Sequence, residues 1–160
     1  MMTWIKNISR HLIVSLDRMY FFNYLILILT SIGYFAYLYI SGLKAGNVDL
    51  KTILHGSPYS AIMMIVVLVN LIVGYYLWQK KDDVLASRET ARWTFWPLAV
   101  CQLLLGNIVN ATISLLVYLS ISERKLDNTK ADASIKSLAI ISSAFYILCL
   151  TLIISSMTRH

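Results

Sequence analysis

Residues 93–116 read WTFWPLAVCQLLLGNIVNATISLL, an uncharged apolar run that contains the amides Gln102, Asn107 and Asn110. A helix that rises about 1.5 Å per residue needs about 20 apolar residues to cross a hydrocarbon core of about 30 Å. The run is therefore long enough to cross a membrane, and it predicts a spanning helix over residues 95–122. Its amides need partners there, because an unpaired amide in hydrocarbon is costly.

Three other uncharged runs have the same character, and they predict spans over residues 19–43, 57–79 and 137–158. The composition agrees, because 58% of the 160 residues are hydrophobic, 14% are charged and the mean hydropathy is +0.68. A soluble helical bundle would carry charges along one face of each helix, whereas these runs carry none. The sequence thus predicts an all-α polytopic integral membrane protein, with four transmembrane helices in an antiparallel bundle.

The first 18 residues have an amphipathic helical pattern. Apolar residues from Trp4 to Leu16 follow one face, while Lys6, Arg10 and Asp17 lie roughly opposite. This pattern predicts a short interfacial helix over residues 1–18, with the first turns of span one as the alternative interpretation. Residues 19–160 then form one transmembrane domain, because the connections between the runs are short and polar.

The Lys and Arg residues divide almost evenly between the two sides of such a bundle. With both termini in the cytoplasm, eight of the 14 lie on the cytoplasmic side and six lie on the other side. The positive-inside rule therefore favours cytoplasmic termini by a narrow margin. The loops lack Cys and so cannot form the braced outer loop of many animal four-span proteins. We predict a multi-pass protein of a bacterial plasma membrane.

The residues inside the runs exclude several chemistries. None of the four predicted spans contains Asp, Glu, Lys, Arg or His, which argues against proton transport through a buried carboxylate. All three His residues lie outside the spans, so a haem would lack axial ligands. Cys101 and Cys149 are not in a C-x-x-C arrangement, and we predict free apolar thiols. Because no catalytic, metal-binding or phosphate-binding motif is present, we predict neither enzyme activity nor a cofactor.

The net charge of +6 occurs in short groups next to the spans. Nucleic-acid binding would need a continuous basic face with stacking aromatic residues outside the bilayer. Basic groups beside spans are instead typical of contact with lipid head groups. We therefore predict the lipid bilayer as a partner and no nucleic acid.

Polar and small residues form strips along the predicted spans. In span three, Gln102, Gly106, Asn110 and Ser114 recur every four residues, and Asn107 lies beside them. Residues at this spacing share one face of a helix. Span one carries a second strip, and span two carries a shorter one. Their candidate residues are Asn23, Thr30, Tyr34, Tyr37, Asn70 and Gly74.

These strips have two interpretations. Small residues and hydrogen bonds between helices drive association in lipid, so the strips would hold the bundle together. Alternatively, the strips line a polar cavity or a groove for the helix of a partner. We predict a non-enzymatic protein that acts through helix–helix contacts with a protein partner or in a homo-oligomer, as an accessory subunit, an anchor or an immunity-type protein. The alternative is an oligomeric small transporter or channel that uses the strips of spans one and three.

Overall fold

In a computed structural model, which describes residues 16–44, 46, 49–55, 57–121 and 133–158, the chain is helical and has no strand among those residues. The helices are α1 (Leu16–Lys44), α2 (Leu50–His55), α3 (Pro58–Gln79), α4 (Lys81–Ala86), α5 (Arg88–Leu104), α6 (Ile108–Ile121) and α7 (Ala133–Thr158). Most of the predicted interfacial helix lies outside the described residues, and its last three residues belong to the first turn of α1.

Helices α1, α3 and α7 are each long and apolar enough to cross a membrane. They have 29, 22 and 26 residues, and they match the predicted spans one, two and four. Helix α3 starts at the predicted position because Ser57 caps it, accepting a hydrogen bond from the Ser60 N–H, and Pro58 occupies the first turn. Three of the four predicted spans are therefore present as long apolar helices.

The predicted third span over residues 95–122 is wrong, because the structure divides it into α5 and α6. The rings of Trp96 and Tyr118 have centroids 5.4 Å apart. A continuous helix would separate these two residues by about 33 Å. The two helices therefore form an antiparallel hairpin. The predicted start at residue 95 also differs from the structure, since α5 begins at Arg88 and Pro97 lies in its interior.

Gly106 and Asn107 reverse the chain between α5 and α6. Gly106 has a φ of +80°, in the left-handed region that glycine adopts without a steric penalty. The N–H groups of Gly106 and Asn107 donate to the carbonyls of Leu103 and Gln102, which is the Schellman pattern at a helix end. Asn107 then caps α6, since its Oδ1 accepts a hydrogen bond from the Asn110 N–H at 3.2 Å. One helix ends and the next begins within three residues.

Contacts between helices establish the direction of each helix relative to its neighbours. The Tyr20 hydroxyl donates to the Leu77 carbonyl at 2.6 Å, and the Tyr34 hydroxyl donates to the Ser60 carbonyl at 3.1 Å. Helices α1 and α3 are therefore antiparallel. At the start of α7, Lys136 Nζ lies 2.9 Å from Glu89 Oε1 at the start of α5. Consequently α7 is parallel to α5 and antiparallel to α3.

One end of the bundle carries most of the described charges. We call it the charged end, and it is formed by the start of α1, the end of α3, both outer ends of the hairpin and the start of α7. Exposed ion pairs lie there, such as Lys81 with Asp17 at 3.3 Å. We call the opposite end, where α1 and α7 finish and α3 starts, the far end.

Five helices surround a common centre in the half of the bundle near the charged end. In the order α1, α3, α7, α5 and α6, each contacts the next, and α6 contacts α1. The hairpin extends only about halfway along the bundle, because Gln102 near its turn bonds to Asn70 near the middle of α3. We call this the five-helix half. In the far half, α1, α3 and α7 continue without the hairpin.

The prediction that both termini are cytoplasmic assumes an even number of membrane crossings, namely four. With three long helices, Leu16 at the start of α1 and Thr158 at the end of α7 lie at opposite ends of the bundle.

Candidate functional site

Asn70 of α3 is the hub of a polar cluster at the centre of the five-helix half. Its Oδ1 accepts one hydrogen bond from Gln102 Nε2 at 2.8 Å and another from the Tyr146 hydroxyl at 2.7 Å. All three side chains are buried. A single amide oxygen thereby joins α3 to both α5 and α7.

Gln102 extends this network to the turn of the hairpin. Its Oε1 accepts a hydrogen bond from Asn107 Nδ2 at 2.9 Å. Because Asn107 also caps α6, a continuous path of hydrogen bonds leads from Tyr146 on α7 to the first turn of α6. The turn is therefore tied to α3 and α7 as well as closed by its own backbone.

A separate group of bonds attaches α1 to its neighbours. Asn23 Nδ2 donates to Ser114 Oγ on α6 at 2.6 Å, and both residues are fully buried. Ser31 Oγ donates to the carbonyl of Val67 on α3 at 3.1 Å. Polar pairs of this kind between membrane helices contribute about 0.6 kcal/mol on average. Hydrogen bonds thus connect α1 to both of its neighbours.

Two amides in this region retain atoms without a partner. Asn110 is 0% exposed, and neither its Oδ1 nor its Nδ2 has a hydrogen-bond partner among the described residues. The same holds for Asn23 Oδ1. Asn110 and Ser114 lie one turn apart on α6, so their side chains are neighbours, and Ser114 contacts Asn23. The three unpartnered atoms therefore belong to one polar region between α1 and α6.

The candidate glycines have different environments. A Cβ on Gly74 would lie 2.9 Å from Ile28 Cγ1 and 3.2 Å from Leu27 Cβ, so α1 packs closely against α3 at this point. A Cβ on Gly106 would meet nothing within 4 Å, and this position needs glycine for its positive φ instead. The predicted strip in span three is also divided, because Gln102 lies on α5 while Asn110 and Ser114 lie on α6. All three nevertheless are buried at the centre.

The predicted strip on α1 does not enter the cluster as a whole. Asn23 is buried and bonds to α6, but Tyr37 is exposed and Thr30 Oγ1 donates to the carbonyl of Ile26 in its own helix. Tyr34 bonds to α3 nearer the far end. The physical reason is that residues beyond Ser31 lie in the half where no hairpin faces α1. Most of the predicted strip therefore lies next to the helix face that packs against α3 and α6, and not on that face.

Sequence reasoning did not select Tyr20, Ser31 and Tyr146 as site residues, although each bonds between helices. The sequence of α1 did carry a signal, because Tyr20, Asn23, Leu27 and Ser31 recur at intervals of three or four residues, which is the spacing of one helix face. On that spacing Tyr20 and Ser31 share a face with Asn23. A hydroxyl on the apolar face of a spanning helix has to find a partner on a neighbouring helix.

The other described features offer little chemistry. Cys101 and Cys149 are unpaired and buried, as predicted. A small cleft lies between α3, α5 and α7, and its Thr94 and Ser142 hydroxyls donate to carbonyls of their own helices. Among residues 16–44, 49–55, 57–121 and 133–158, no three His, Cys, Asp or Glu residues form a group that could hold a metal ion.

Compared with protein-family models, curated proteins and solved structures, the chain matches none of them. The class of protein is therefore defined by the structure itself. It is an all-helical protein with three helices long and apolar enough to span a membrane, to which a half-length hairpin is attached.

Proposed function

We propose that α1, α3 and α7 cross a membrane and that the α5–α6 hairpin enters it from the charged end and turns back at mid-depth. Helix α6 has 14 residues and is about 21 Å long, which is shorter than a hydrocarbon core of about 30 Å. Ile108 and Val109 beside the turn are 65% and 60% exposed, and such aliphatic surface suits hydrocarbon or a partner rather than water. The hydrogen bonds of the turn make that depth tolerable for its backbone.

This architecture makes the distribution of positive charge strongly uneven. In sequence, eleven of the 14 Lys and Arg residues precede, follow or connect helix ends at the charged end, and the other three, Lys44, Lys51 and Arg159, are close in sequence to helix ends at the far end. The eleven are Lys6, Arg10, Arg18, Lys80, Lys81, Arg88, Arg92, Arg124, Lys125, Lys130 and Lys136. By the positive-inside rule we orient the charged end towards the cytoplasm. Helix α1 then starts inside and α7 ends outside; a bacterial plasma membrane stays a prediction.

Cysteine labelling tests this topology directly. In a Cys101→Ala, Cys149→Ala background, single cysteines are placed at Thr52 in the short helix α2, at Asp83 in the short helix α4, and at Asn128 in the connection between α6 and α7. With a membrane-impermeant maleimide on intact cells, we expect labelling of Thr52→Cys alone, and labelling of the other two after permeabilisation. Labelling of Asn128→Cys together with Thr52→Cys would show instead that residues 95–122 cross the membrane completely.

Within this topology, the protein acts through helix contacts as a non-enzymatic accessory subunit or anchor. One observation carries this proposal: the interior amides and hydroxyls bond mainly between helices, while α1 and α7 leave broad apolar faces uncovered. In the 18-residue apolar stretch of α7 that is long enough to span a membrane, only 17% of the residues are buried, whereas 39% are buried in the corresponding stretch of α3. Ile140, Ile147 and Ile154 lie seven residues apart on α7, and each is more than half exposed. Apolar residues at this spacing form one helix face, as in packed helix pairs.

Photo-crosslinking from this face tests the proposal. A photoreactive residue at Ile147 is expected to give one stoichiometric product in native membranes, with another protein or a second copy, whereas the same residue at Leu29 on the outer face of α1 serves as the matched control. With the photoreactive residue kept at position 147, the double change Ile140→Ala and Ile154→Ala should remove the product without changing expression. A uniform low-yield smear from both positions, typical of lipid contact, would overturn the helix-contact function.

A transporter or channel is the second candidate, favoured by the unpartnered amide atoms at the centre. At the turn, the carboxyl end of α5 and the amino end of α6 also meet at mid-depth, and ends of broken helices bind solutes in many transporters. Purified protein in liposomes should then conduct a specific solute, and Asn110→Leu should abolish the flux. Such a flux would contradict the accessory function and support the transporter. The absence of flux over a panel of ions and small polar solutes would contradict the transporter.

A further inference from the structure

The unpartnered atoms between α1 and α6 have a defined hydrogen-bonding character. Asn23 Oδ1 and Asn110 Oδ1 are acceptors, and Asn110 Nδ2 is a donor. Both residues are 0% exposed, so bulk water does not reach these atoms. Buried polar groups in folded proteins are nearly always paired with protein or with ordered water, and the region therefore calls for a partner.

The two residues that carry the three atoms both neighbour Ser114. Asn23 Nδ2 lies 2.6 Å from Ser114 Oγ, which holds the amide of Asn23 against α6. Asn110 precedes Ser114 by one helical turn on the same face. The free oxygen of Asn23 and the free amide of Asn110 thus flank the same side chain, at the interface of a spanning helix and the hairpin.

The two acceptors and one donor favour one kind of bound partner over others. A cation would meet the Asn110 Nδ2 donor and the positive amino end of α6, in whose first turn Asn110 lies. An anion would meet two carbonyl oxygens. A water molecule offers two donors together with acceptor capacity, which complements two acceptors and one donor, and internal waters typically make about three such bonds.

We propose that this region is a binding site for an internal water molecule, which donates to Oδ1 of Asn23 and of Asn110 and accepts from Asn110 Nδ2. The water forms a second polar link between α1 and α6, beside the direct bond between Asn23 and Ser114. The hairpin therefore carries a hydrated contact into a region without charged side chains. This site is independent of the function proposed above, because it needs neither a partner protein nor a transported solute.

Water-to-amide cross-relaxation in full-length protein in lipid nanodiscs tests the site. We expect a cross-peak between a long-lived water and the Asn110 side-chain amide protons. The Gln102 side-chain amide is the internal control, because it is fully buried and both of its polar atoms are bonded to protein, so it should show no such cross-peak. A silent Asn110 amide would mean that the two amides pair directly, and it would overturn the proposal.

Two further measurements separate water from other occupants. Replacing choline chloride by sodium or potassium chloride should leave the Asn23 and Asn110 amide shifts unchanged; a saturable shift would assign the region to a cation and overturn the proposal. In Asn110→Leu, which removes two of the three groups, the water cross-peak at the Asn23 amide should fall severalfold. A peak of unchanged intensity would contradict the site, and if this variant does not fold, the wild-type cross-peak decides alone.

Discussion

The two halves of the bundle use polar residues differently. In the five-helix half, Asn70 joins three helices, and the amides of the hairpin point into an enclosed centre. In the far half, Tyr34 makes a single, partly buried bond to α3, and Tyr37 is exposed. Similar polar residues on the same spanning helix thus acquire different roles, because only one half has a hairpin to enclose them.

Replacing the hub should produce the largest effect. Asn70→Leu leaves Gln102 Nε2 and the Tyr146 hydroxyl without their shared acceptor in a buried centre. We expect a loss of about 2 to 5 kcal/mol in the free energy of unfolding in bicelles, since each stranded buried group costs about 1 to 3 kcal/mol. Tyr34→Phe is the matched control in the far half and should cost about 0.6 kcal/mol. Equal losses from the two variants would contradict the difference between the halves.

Close packing of α1 on α3 should show the next effect. In Gly74→Ala the new methyl group would lie 2.9 Å from Ile28 Cγ1, so one helix has to shift. We expect a loss of about 1 to 3 kcal/mol, which is usual for overpacked sites. Gly33→Ala on α1 is the control, because its Cβ meets nothing within 4 Å, and alanine should stabilise this helix by about 0.5 to 1 kcal/mol. Opposite signs in thermal unfolding are the expected result, and a neutral Gly74→Ala would contradict the close contact.

The turn of the hairpin should be sensitive for a different reason. Gly106→Ala forces a side chain into a φ of +80°, which costs about 1 to 2 kcal/mol although a Cβ there meets no neighbour. The loss should appear as weaker protection of the α5 and α6 amides in hydrogen exchange, with α3 unchanged. If Gly106→Ala instead stabilises the protein as Gly33→Ala does, then residues 95–122 form a continuous helix and the five-helix half does not exist.

The sequence predicts the long helices well and the hairpin poorly, for a physical reason. Hydropathy reports that residues 93–122 are apolar, but a half-length hairpin and a full span bury the same apolar residues in the same hydrocarbon. The distinguishing signal is local: Gly106 followed by Asn107 can end one helix and cap the next. Membrane helices also tolerate isolated glycines, so Gly106 and Asn107 predict a turn only when a second observation supports it.

The charges supply that second observation. A four-span count places eight basic residues on one side and six on the other, which is unusual for a protein oriented by its positive charges. Counting residues 95–122 as a hairpin brings eleven to one end. Under the topology proposed above, the almost even count results from counting one crossing too many. The amides of the cluster could still be selected correctly, because Gln102 and Asn110 face the centre whether α5 and α6 are separate or continuous.

Two adjacent residues of α1 provide the smallest and sharpest comparison. Thr30 belongs to the strip predicted from sequence, and its hydroxyl bonds only to carbonyls of its own helix. Ser31 is buried, and its hydroxyl lies 2.8 Å from the carbonyl of Leu27 in its own helix and 3.1 Å from the carbonyl of Val67 on α3. Ser31→Ala should therefore cost about 0.6 kcal/mol or slightly more, while Thr30→Val, which keeps the shape of the side chain, should change the free energy of unfolding by less than about 0.5 kcal/mol. A larger loss from Thr30→Val would mean that α1 is rotated and presents the predicted strip to α3, and the boundary between the two halves would then lie elsewhere.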